Sequence, residues 1–266
     1  MNIVVCVKYV PDATADRHFE DDHTVDRVGV DGLLSELDEY AVEQALQIKE
    51  KSDSGDAEVT VLTIGPEQAT DALRKALQMG ADKAVHVLDD AIAGSDSLAT
   101  SLVLAEAIKK QGAESGYDLV VCGMASTDGS MGVLPVMLAE RPGLPAVTLG
   151  SAVELDGDTV RIRRDGDVST DTVEATLPAV VSVTDQSGEA RYPSFKGIMA
   201  AKKKPLATWS LGDLGIEPAQ VGLSAAYSAV ASVEARPPRT AGQIVTDEDG
   251  SGATALVDFL AAKKFI

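Results

Sequence analysis

Short apolar runs alternate with longer amphipathic stretches along the first half of this sequence, a pattern that few folds satisfy. The runs are of strand length and rich in valine and isoleucine, at residues 3–7, 59–64, 84–88 and 119–122. Continuous apolar runs of this length are typical of strands buried on both faces, as in a parallel sheet. Since helical stretches separate the runs, we expect right-handed βαβ units. The sequence therefore predicts an α/β fold with a doubly wound, mostly parallel sheet.

Helix start and stop signals occupy the stretches between the runs. Ser35-Glu36-Leu37-Asp38 resembles a capping box, and apolar residues follow it at helical spacing. Pro66 opens a second predicted helix, which Gly80 ends as a C-cap, and Asp96 begins a third.

After residue 146 the pattern changes. Alternation at 152–155, 159–163 and 172–176, with a turn at Asp156-Gly157-Asp158, predicts an added β-hairpin, and a buried strand is expected at 179–183. Residues 191–205 show little periodicity, and residues 234–252 predict an extended arm before a short docking helix at 253–264. The predicted organisation is an α/β domain at 1–190, a loop at 191–205 and a C-terminal arm with its docking helix at 206–266.

The charge balance excludes some classes of partner. Lysine and arginine number 23 and aspartate and glutamate 42, a formal net charge of −19. A general nucleic-acid binder needs a positive surface, and so does a protein that adsorbs to anionic membranes. We therefore expect no nucleic-acid partner and no membrane insertion, the latter also because no apolar run approaches the roughly 18 residues of a span.

The two cysteines, Cys6 and Cys122, each lie in a predicted strand, where a buried thiol is expected rather than a disulfide. The sequence carries no metal-ligand spacing, and His86 is expected to be a structural histidine. Because no nucleophile, pair of general acid and base residues or metal motif is found, we expect a chain that is not a catalyst. We also expect it to be located in the cytoplasm.

The most informative segment follows the strand at 119–122. It is small and polar, and consists of Gly123, Met124, Ala125, Ser126, Thr127, Asp128, Gly129, Ser130, Met131, Gly132 and Val133. Small residues let backbone N–H groups approach an anion, and ligands of open α/β sheets bind at the carboxyl ends of the strands. The segment is either a nucleotide-phosphate site, which the ends of the strands near residues 6–8 and 64–65 would also line, or an ordinary surface loop.

Several motifs, in order along nearly the whole chain, resemble the β subunit of electron transfer flavoprotein, whose fold is similar to that of adenine-nucleotide α-hydrolases. They are Val7-Lys8-Tyr9-Val10-Pro11-Asp12, Gly80-Ala81-Asp82, the 123–132 segment, Leu177-Pro178-Ala179-Val180-Val181, Arg191-Tyr192-Pro193-Ser194-Phe195-Lys196-Gly197-Ile198-Met199 with Lys202 to Lys204, and Pro237-Pro238-Arg239-Thr240-Ala241-Gly242.

The resemblance implies an electron carrier. In that family the β subunit pairs with an α subunit that holds most of the FAD. The pair takes electrons from flavin dehydrogenases, notably acyl-CoA dehydrogenases of fatty acid oxidation, and passes them to a quinone oxidoreductase. The β subunit also buries a structural AMP. Carried over by motif, the AMP contacts are Cys6, Ser35, Glu36, Leu37, Asp38, Ile64 and residues 123–133.

The same resemblance assigns the 191–205 segment to recognition of the dehydrogenase, through Tyr192, Phe195, Ile198, Met199, Lys202 and Lys203. Phe195 stands where leucine is common in relatives, and Ala13 where some relatives have an aromatic residue near the flavin. From composition alone, Phe195 either inserts into a partner or folds back into the local core.

Two alternatives stay open. Electron-bifurcating relatives hold a second FAD in place of AMP, and they typically carry an Asp-Thr-x-Gln pattern that Thr127-Asp128-Gly129-Ser130 lacks. A free-standing adenine-nucleotide-binding protein of the stress type would explain the sheet and the 123–133 segment. It would not explain the basic segment, residues 191–205, or the C-terminal arm.

Overall fold

The predicted strands and helices form in order along the chain in a computed structural model, which describes residues 1–52, 55–113, 116–234, 236–238, 242–247 and 249–266. The described residues form two compact units, Met1–Ala231 and Ser232–Ile266. The strands of the first unit are β1 (Asn2–Cys6), β2 (Tyr9–Pro11), β3 (Gly32–Leu34), β4 (Glu58–Ile64), β5 (Lys83–Val87), β6 (Leu119–Gly123), β7 (Ala146–Gly150), β8 (Ala152–Asp156), β9 (Thr159–Asp165), β10 (Thr170–Thr176), β11 (Ala179–Val183) and β12 (Leu206–Trp209). Its α-helices are α1 (Glu36–Lys51), α2 (Thr70–Met79), α3 (Ser97–Gln111), α4 (Leu134–Glu140), α5 (Phe195–Ala201) and α6 (Leu211–Leu214).

The main sheet has seven strands in the order β12-β5-β4-β1-β6-β11-β7, and every neighbouring pair is parallel. Successive side chains of β1, and of Val7 just after it, lie on opposite faces of the main sheet. Ile3, Val5 and Val7 pack with α1 and α2 in one core, whereas Val4 and Cys6 pack with α3, α4 and α6 in another. Helices on both faces of a parallel sheet confirm the doubly wound fold.

The predicted hairpin addition is also confirmed. β8, β9 and β10 form a three-stranded antiparallel sheet, and Asp156 pairs with Thr159 across a turn in which Gly157 has φ +60°. A second small ribbon, β2 with β3, was not predicted from the sequence. It lies beside the end of β1, so it helps to position the segment after that strand.

Two of the predicted helix boundaries are confirmed in detail. Asp96 is the N-cap of α3, and its carboxylate accepts a hydrogen bond from the Ala99 N–H at 3.0 Å. Gly80 is the C-cap of α2 with φ +145°, a conformation that side chains rarely adopt. Pro66 precedes a short 3₁₀ turn, Glu67–Ala69, and α2 itself begins at Thr70.

The capping-box interpretation of Ser35 is wrong. Ser35 is the N-cap of α1, but its side chain makes no capping hydrogen bond. The Asp38 carboxylate, which would complete the box, instead accepts from the Lys8 N–H at 2.8 Å. Tertiary contact with the end of β1 therefore replaces the local cap.

The expectation that residues 191–205 form a loop is also wrong, because α5 lies within them. This seven-residue helix buries none of its own residues. Phe195, Ile198 and Met199 follow helical spacing, but the run is too short for that periodicity to indicate a helix. It packs on α2, and Gly197 is needed there because a Cβ would collide with the Gln78 carbonyl oxygen.

Residues 206–231, grouped with the C-terminal arm in the sequence analysis, contribute β12 and α6 to the first unit. The division of the chain by function stays a prediction.

The second unit contains helix α7 (Gly252–Ala262), near the predicted position. Its side chains Leu256, Val257 and Phe259 are exposed. Arg239, Thr240 and Ala241 of the Pro237-to-Gly242 motif lie outside the described residues.

Candidate functional site

The candidate site lies where the winding of the main sheet reverses. From β1 the chain proceeds to β4 and β5 on one side, and α3 then carries it back to β6 on the other side of β1. Such a switch point leaves a crevice outside the carboxyl ends of the strands, which is where open α/β sheets bind ligands. Cys6 is in register with Leu62 of β4 and Cys122 of β6, so these three strands end together.

The start of α1 is fastened to the end of β1. The Ser35 N–H donates to the Lys8 carbonyl at 2.9 Å, and the Lys8 N–H donates to the Asp38 carboxylate. The end of β6 lies against the same turn, since a Cβ on Gly123 would stand 2.7 Å from the Leu37 carbonyl oxygen. The structure thus brings together Cys6, residues 35–38 and Gly123, as the resemblance implies.

Two polar side chains in this crevice are almost completely buried. The Ser35 hydroxyl is inaccessible to solvent and has no hydrogen-bond partner among the described residues. Burial raises the pKa of Asp38 to about 7, although the Lys8 N–H, the Lys8 charge and the Gly123 N–H oppose the shift. A buried hydroxyl without a partner is costly, so Ser35 is suited to a ligand.

The segment after β6 folds around Asp128. Only 1% of the Asp128 side chain is exposed, and its carboxylate forms ion pairs with Lys8, at 2.9 Å, and with Arg27. Burial would raise its pKa, but Lys8, the Ser126 hydroxyl and Arg27 lower it well below its usual value. The Gly129 N–H donates to the same carboxylate at 2.6 Å. Asp128 therefore stabilises the fold of this segment through contacts within the protein. The sequence alone did not distinguish that structural role from contact with a ligand.

The other predicted residues of this segment are less buried. Ser126 and Thr127 are half-buried, and Gly129, Ser130, Met131 and Gly132 are exposed. Ser130 and Gly132 have positive φ values, +52° and +66°, which fold the chain back towards Ser126. Ile64 ends β4 and is half-buried beside the crevice.

Sequence reasoning placed the strand end at residues 6–8 beside the crevice but missed two basic residues of the site, Arg17 and Arg27. Lys8 follows β1, and Arg17 and Arg27 lie in the segment between β2 and β3. Arg17 donates to the Thr127 carbonyl at 3.1 Å. A possible signal was the occurrence of these cations within an otherwise acidic stretch, but nothing local indicated that they reach across to residues 126–128.

The two cysteines are buried and free, and they face each other across β1 and β6. Hydrogen bonding to Cys6 and burial raise the pKa of Cys122. His86 is buried, with one ring nitrogen 3.0 Å from the Gly65 carbonyl oxygen and the other 3.3 Å from the Thr70 hydroxyl. The structural interpretation of His86 is confirmed.

A second candidate surface surrounds α5. Tyr192 is 91% exposed and Phe195 81% exposed, with Ile198 and Met199 partly so. The alternative that Phe195 folds into the local core is therefore wrong. Lys202 and Lys203 are exposed as well.

Two residues of the basic segment are occupied within the chain. Arg191 forms ion pairs with Glu43 at 2.6 Å and Glu50 at 2.5 Å, both on α1, and the hydrogen bonds that its guanidinium donates to these carboxylates raise its pKa. Lys204 donates to the Leu77 and Ala81 carbonyls at 2.9 and 2.5 Å, at the end of α2. These two cations hold α5 in place and are occupied within the chain, unlike the exposed Lys202 and Lys203.

Among the described residues, no group of histidine, cysteine, aspartate and glutamate could hold a metal ion. None of the described helices combines the length and apolar character needed to cross a membrane.

Comparison with known proteins gives consistent matches. The family model of the electron transfer flavoprotein domain matches residues 22–214. An electron transfer flavoprotein subunit beta from Mycobacterium tuberculosis is 48% identical over 268 residues, which cover 100% of this chain and 99% of that protein. Subunits of the same name from Megasphaera elsdenii and Syntrophomonas wolfei are 34% and 36% identical, covering 99% and 98% of this chain and 97% and 96% of theirs.

Proposed function

This chain belongs to the electron transfer flavoprotein family as a β subunit, an electron carrier and not an enzyme, and we propose from that membership that it forms a heterodimer with an α subunit and holds one structural AMP. FAD is shared with the α subunit, which holds most of it, and supplies the electron transfer when bound. The residues of this chain bind AMP and help to bind and orient FAD. In this proposal the heterodimer accepts electrons from flavin dehydrogenases such as acyl-CoA dehydrogenases, and passes them to a quinone oxidoreductase.

One observation carries the AMP assignment: the Ser35 hydroxyl at the switch point, beside residues 36–38 and Gly123, is buried and has no hydrogen-bond partner within the part of the chain that the structure describes. A nucleotide hydroxyl or ring nitrogen there would satisfy it. The charges nearby suit a phosphate, because Lys8, Arg17 and Arg27 outnumber the carboxylates of Asp38 and Asp128 by one even when both are ionised. The absence of the Asp-Thr-x-Gln pattern favours AMP over a second FAD.

The exposed surface of α5 supports a role in partner recognition. Phe195, Tyr192 and Met199 present apolar area to solvent, and the two ion pairs of Arg191 hold the start of this segment to α1. Exposed apolar side chains grouped on a fixed helix are typical of a protein-binding site. We assign the dehydrogenase to this surface, with Lys202 and Lys203 accelerating its association at low salt.

The second unit supports assembly with the α subunit. Leu256 and Phe259 of α7 are about half exposed, and residues 232–251 contain few apolar residues from which to build a core. A short apolar helix needs a surface to cover it. We assign that surface to the α subunit.

The test is to co-express the chain with an α subunit, record the absorption spectrum of the purified complex and identify the nucleotides released on denaturation. We expect a yellow heterodimer with one FAD and one AMP. Two FAD without AMP would identify an electron-bifurcating subunit. A colourless monomer that binds or hydrolyses ATP would overturn the carrier assignment in favour of a free-standing nucleotide-binding protein.

A further inference from the structure

The segment at residues 12–31 lies over the loop that follows β6. It joins β2 to β3, and most of its side chains, Phe19 and Val28 among them, are exposed. Its internal bonds are short-range turns, such as those in which Asp22 and Asp26 accept from residues two or three positions later. These bonds shape the segment but do not fix where it lies.

Ionic and polar contacts supply that position. Arg27 pairs with Asp128 and also donates to the Tyr9 carbonyl at 3.4 Å, while Arg17 donates to the Thr127 carbonyl. Lys8 approaches the same carboxylate from the end of β1. A buried carboxylate must remain paired, so Asp128 holds Lys8 and Arg27 strongly, and they in turn hold residues 126–129.

We propose that Arg27 is a positioning residue for the nucleotide: by binding Asp128 it closes residues 12–31 over the 126–130 loop and keeps that loop in the shape that retains AMP. The inference rests on the proposed AMP site. When Arg27 is lost, Lys8 remains on Asp128, so the loop keeps its fold. The segment is then held only by weaker contacts, such as those of Arg17 with the Thr127 carbonyl and His23 with the Val230 carbonyl, and it opens more often. AMP then leaves faster from an otherwise intact heterodimer.

The experiment measures exchange of bound AMP for labelled AMP in the heterodimer. Arg27→Met should accelerate exchange about tenfold, the equivalent of about 1.4 kcal/mol. Arg27→Lys, which keeps the charge, should restore most of the slow exchange. Arg74→Met is the matched control, because Arg74 makes an exposed ion pair with Asp71 on α2, at 3.1 Å and away from the crevice. It should exchange AMP as the wild type does.

A double variant separates action through Asp128 from direct contact with AMP. If Arg27 works through Asp128, Arg27→Met combined with Asp128→Asn should exchange AMP no faster than the faster single variant. Additive accelerations would overturn the inference.

Salt provides a measurement that needs no variant. The pair is partly exposed through Arg27, so wild-type exchange should accelerate between about 0.05 and 0.5 M salt, and Arg27→Met should lose most of this dependence. Salt-independent exchange in the wild type, or equal exchange rates in wild type and Arg27→Met, would refute the positioning role while leaving the AMP site intact. A wild-type heterodimer without AMP would instead refute the proposed site itself.

Discussion

Replacing Gly123 with alanine tests whether the end of β6 and the start of α1 form one rigid unit. A Cβ at this position would lie 2.7 Å from the Leu37 carbonyl oxygen and 2.5 Å from an Asp38 carboxylate oxygen. The carbonyl belongs to the backbone and cannot rotate away, so the first turn of α1 must move by about 0.7 Å to reach an ordinary contact.

The expected cost has two parts. Overpacking of this kind costs about 1–3 kcal/mol. The movement also separates Asp38 from the Gly123 N–H, and a buried polar group that loses a partner costs about 1–3 kcal/mol more. A total of about 2–6 kcal/mol lowers the melting temperature of a domain of this size by roughly 4–24 °C.

The assay is thermal unfolding of the heterodimer at fixed protein concentration, with Gly129→Ala as the control. A Cβ on Gly129 would stand at an ordinary 3.5 Å from the Ser126 hydroxyl. Gly129→Ala should therefore melt as the wild type does when AMP is removed from both, yet bind AMP more weakly because the added methyl group obstructs the phosphate. A melting temperature for Gly123→Ala within about 2 °C of wild type would refute the rigid-unit reasoning.

Three further outcomes are expected. Phe195→Ala should weaken the complex with an acyl-CoA dehydrogenase about ten- to a hundredfold, since burying this side chain contributes roughly 1.5–3 kcal/mol. Steady-state reduction of the heterodimer by the dehydrogenase measures this apparent affinity, and the flavin content should not change. Truncation after Glu234 should leave the first unit folded but reduce co-purification with the α subunit; undiminished co-purification would exclude the arm from assembly. Asp38→Asn should change the pH dependence of stability. Because burial raises the pKa of Asp38 from 3.8 to about 7, its contribution is fully present below pH 4 and is lost as the pH rises to 7, by up to about 4 kcal/mol, so urea unfolding of the variant should lack this decline.

The sequence predicted the features that depend on neighbouring residues. The strands at 59–64 and 179–183 follow from runs in which apolar residues predominate, because a strand buried on both faces has little room for charged side chains. Thr60, Thr63 and Ser182 are polar but buried there. Asp96 and Gly80 predicted helix boundaries for the same reason: a cap bond or a positive φ is a property of a few consecutive residues. The ordered motifs also identified the family, although AMP, FAD and the partner proteins remain proposals.

Only the tertiary structure decided what depends on residues far apart in the chain. Asp128 and Arg27 are 101 positions apart, and Arg191 and Glu43 are 148 apart, so no local pattern could pair them. Ser35 looked like an ordinary cap, but the Asp38 N–H donates to the Ser35 carbonyl and the Asp38 carboxylate accepts from the Lys8 N–H. The Ser35 hydroxyl is left buried with no partner among the described residues. Helix α5 forms against α2 from a run of seven residues, which is too short for helical periodicity to indicate it. Local propensity selects strands and helices, whereas the pairing of buried charges is chosen only when packing excludes water from them.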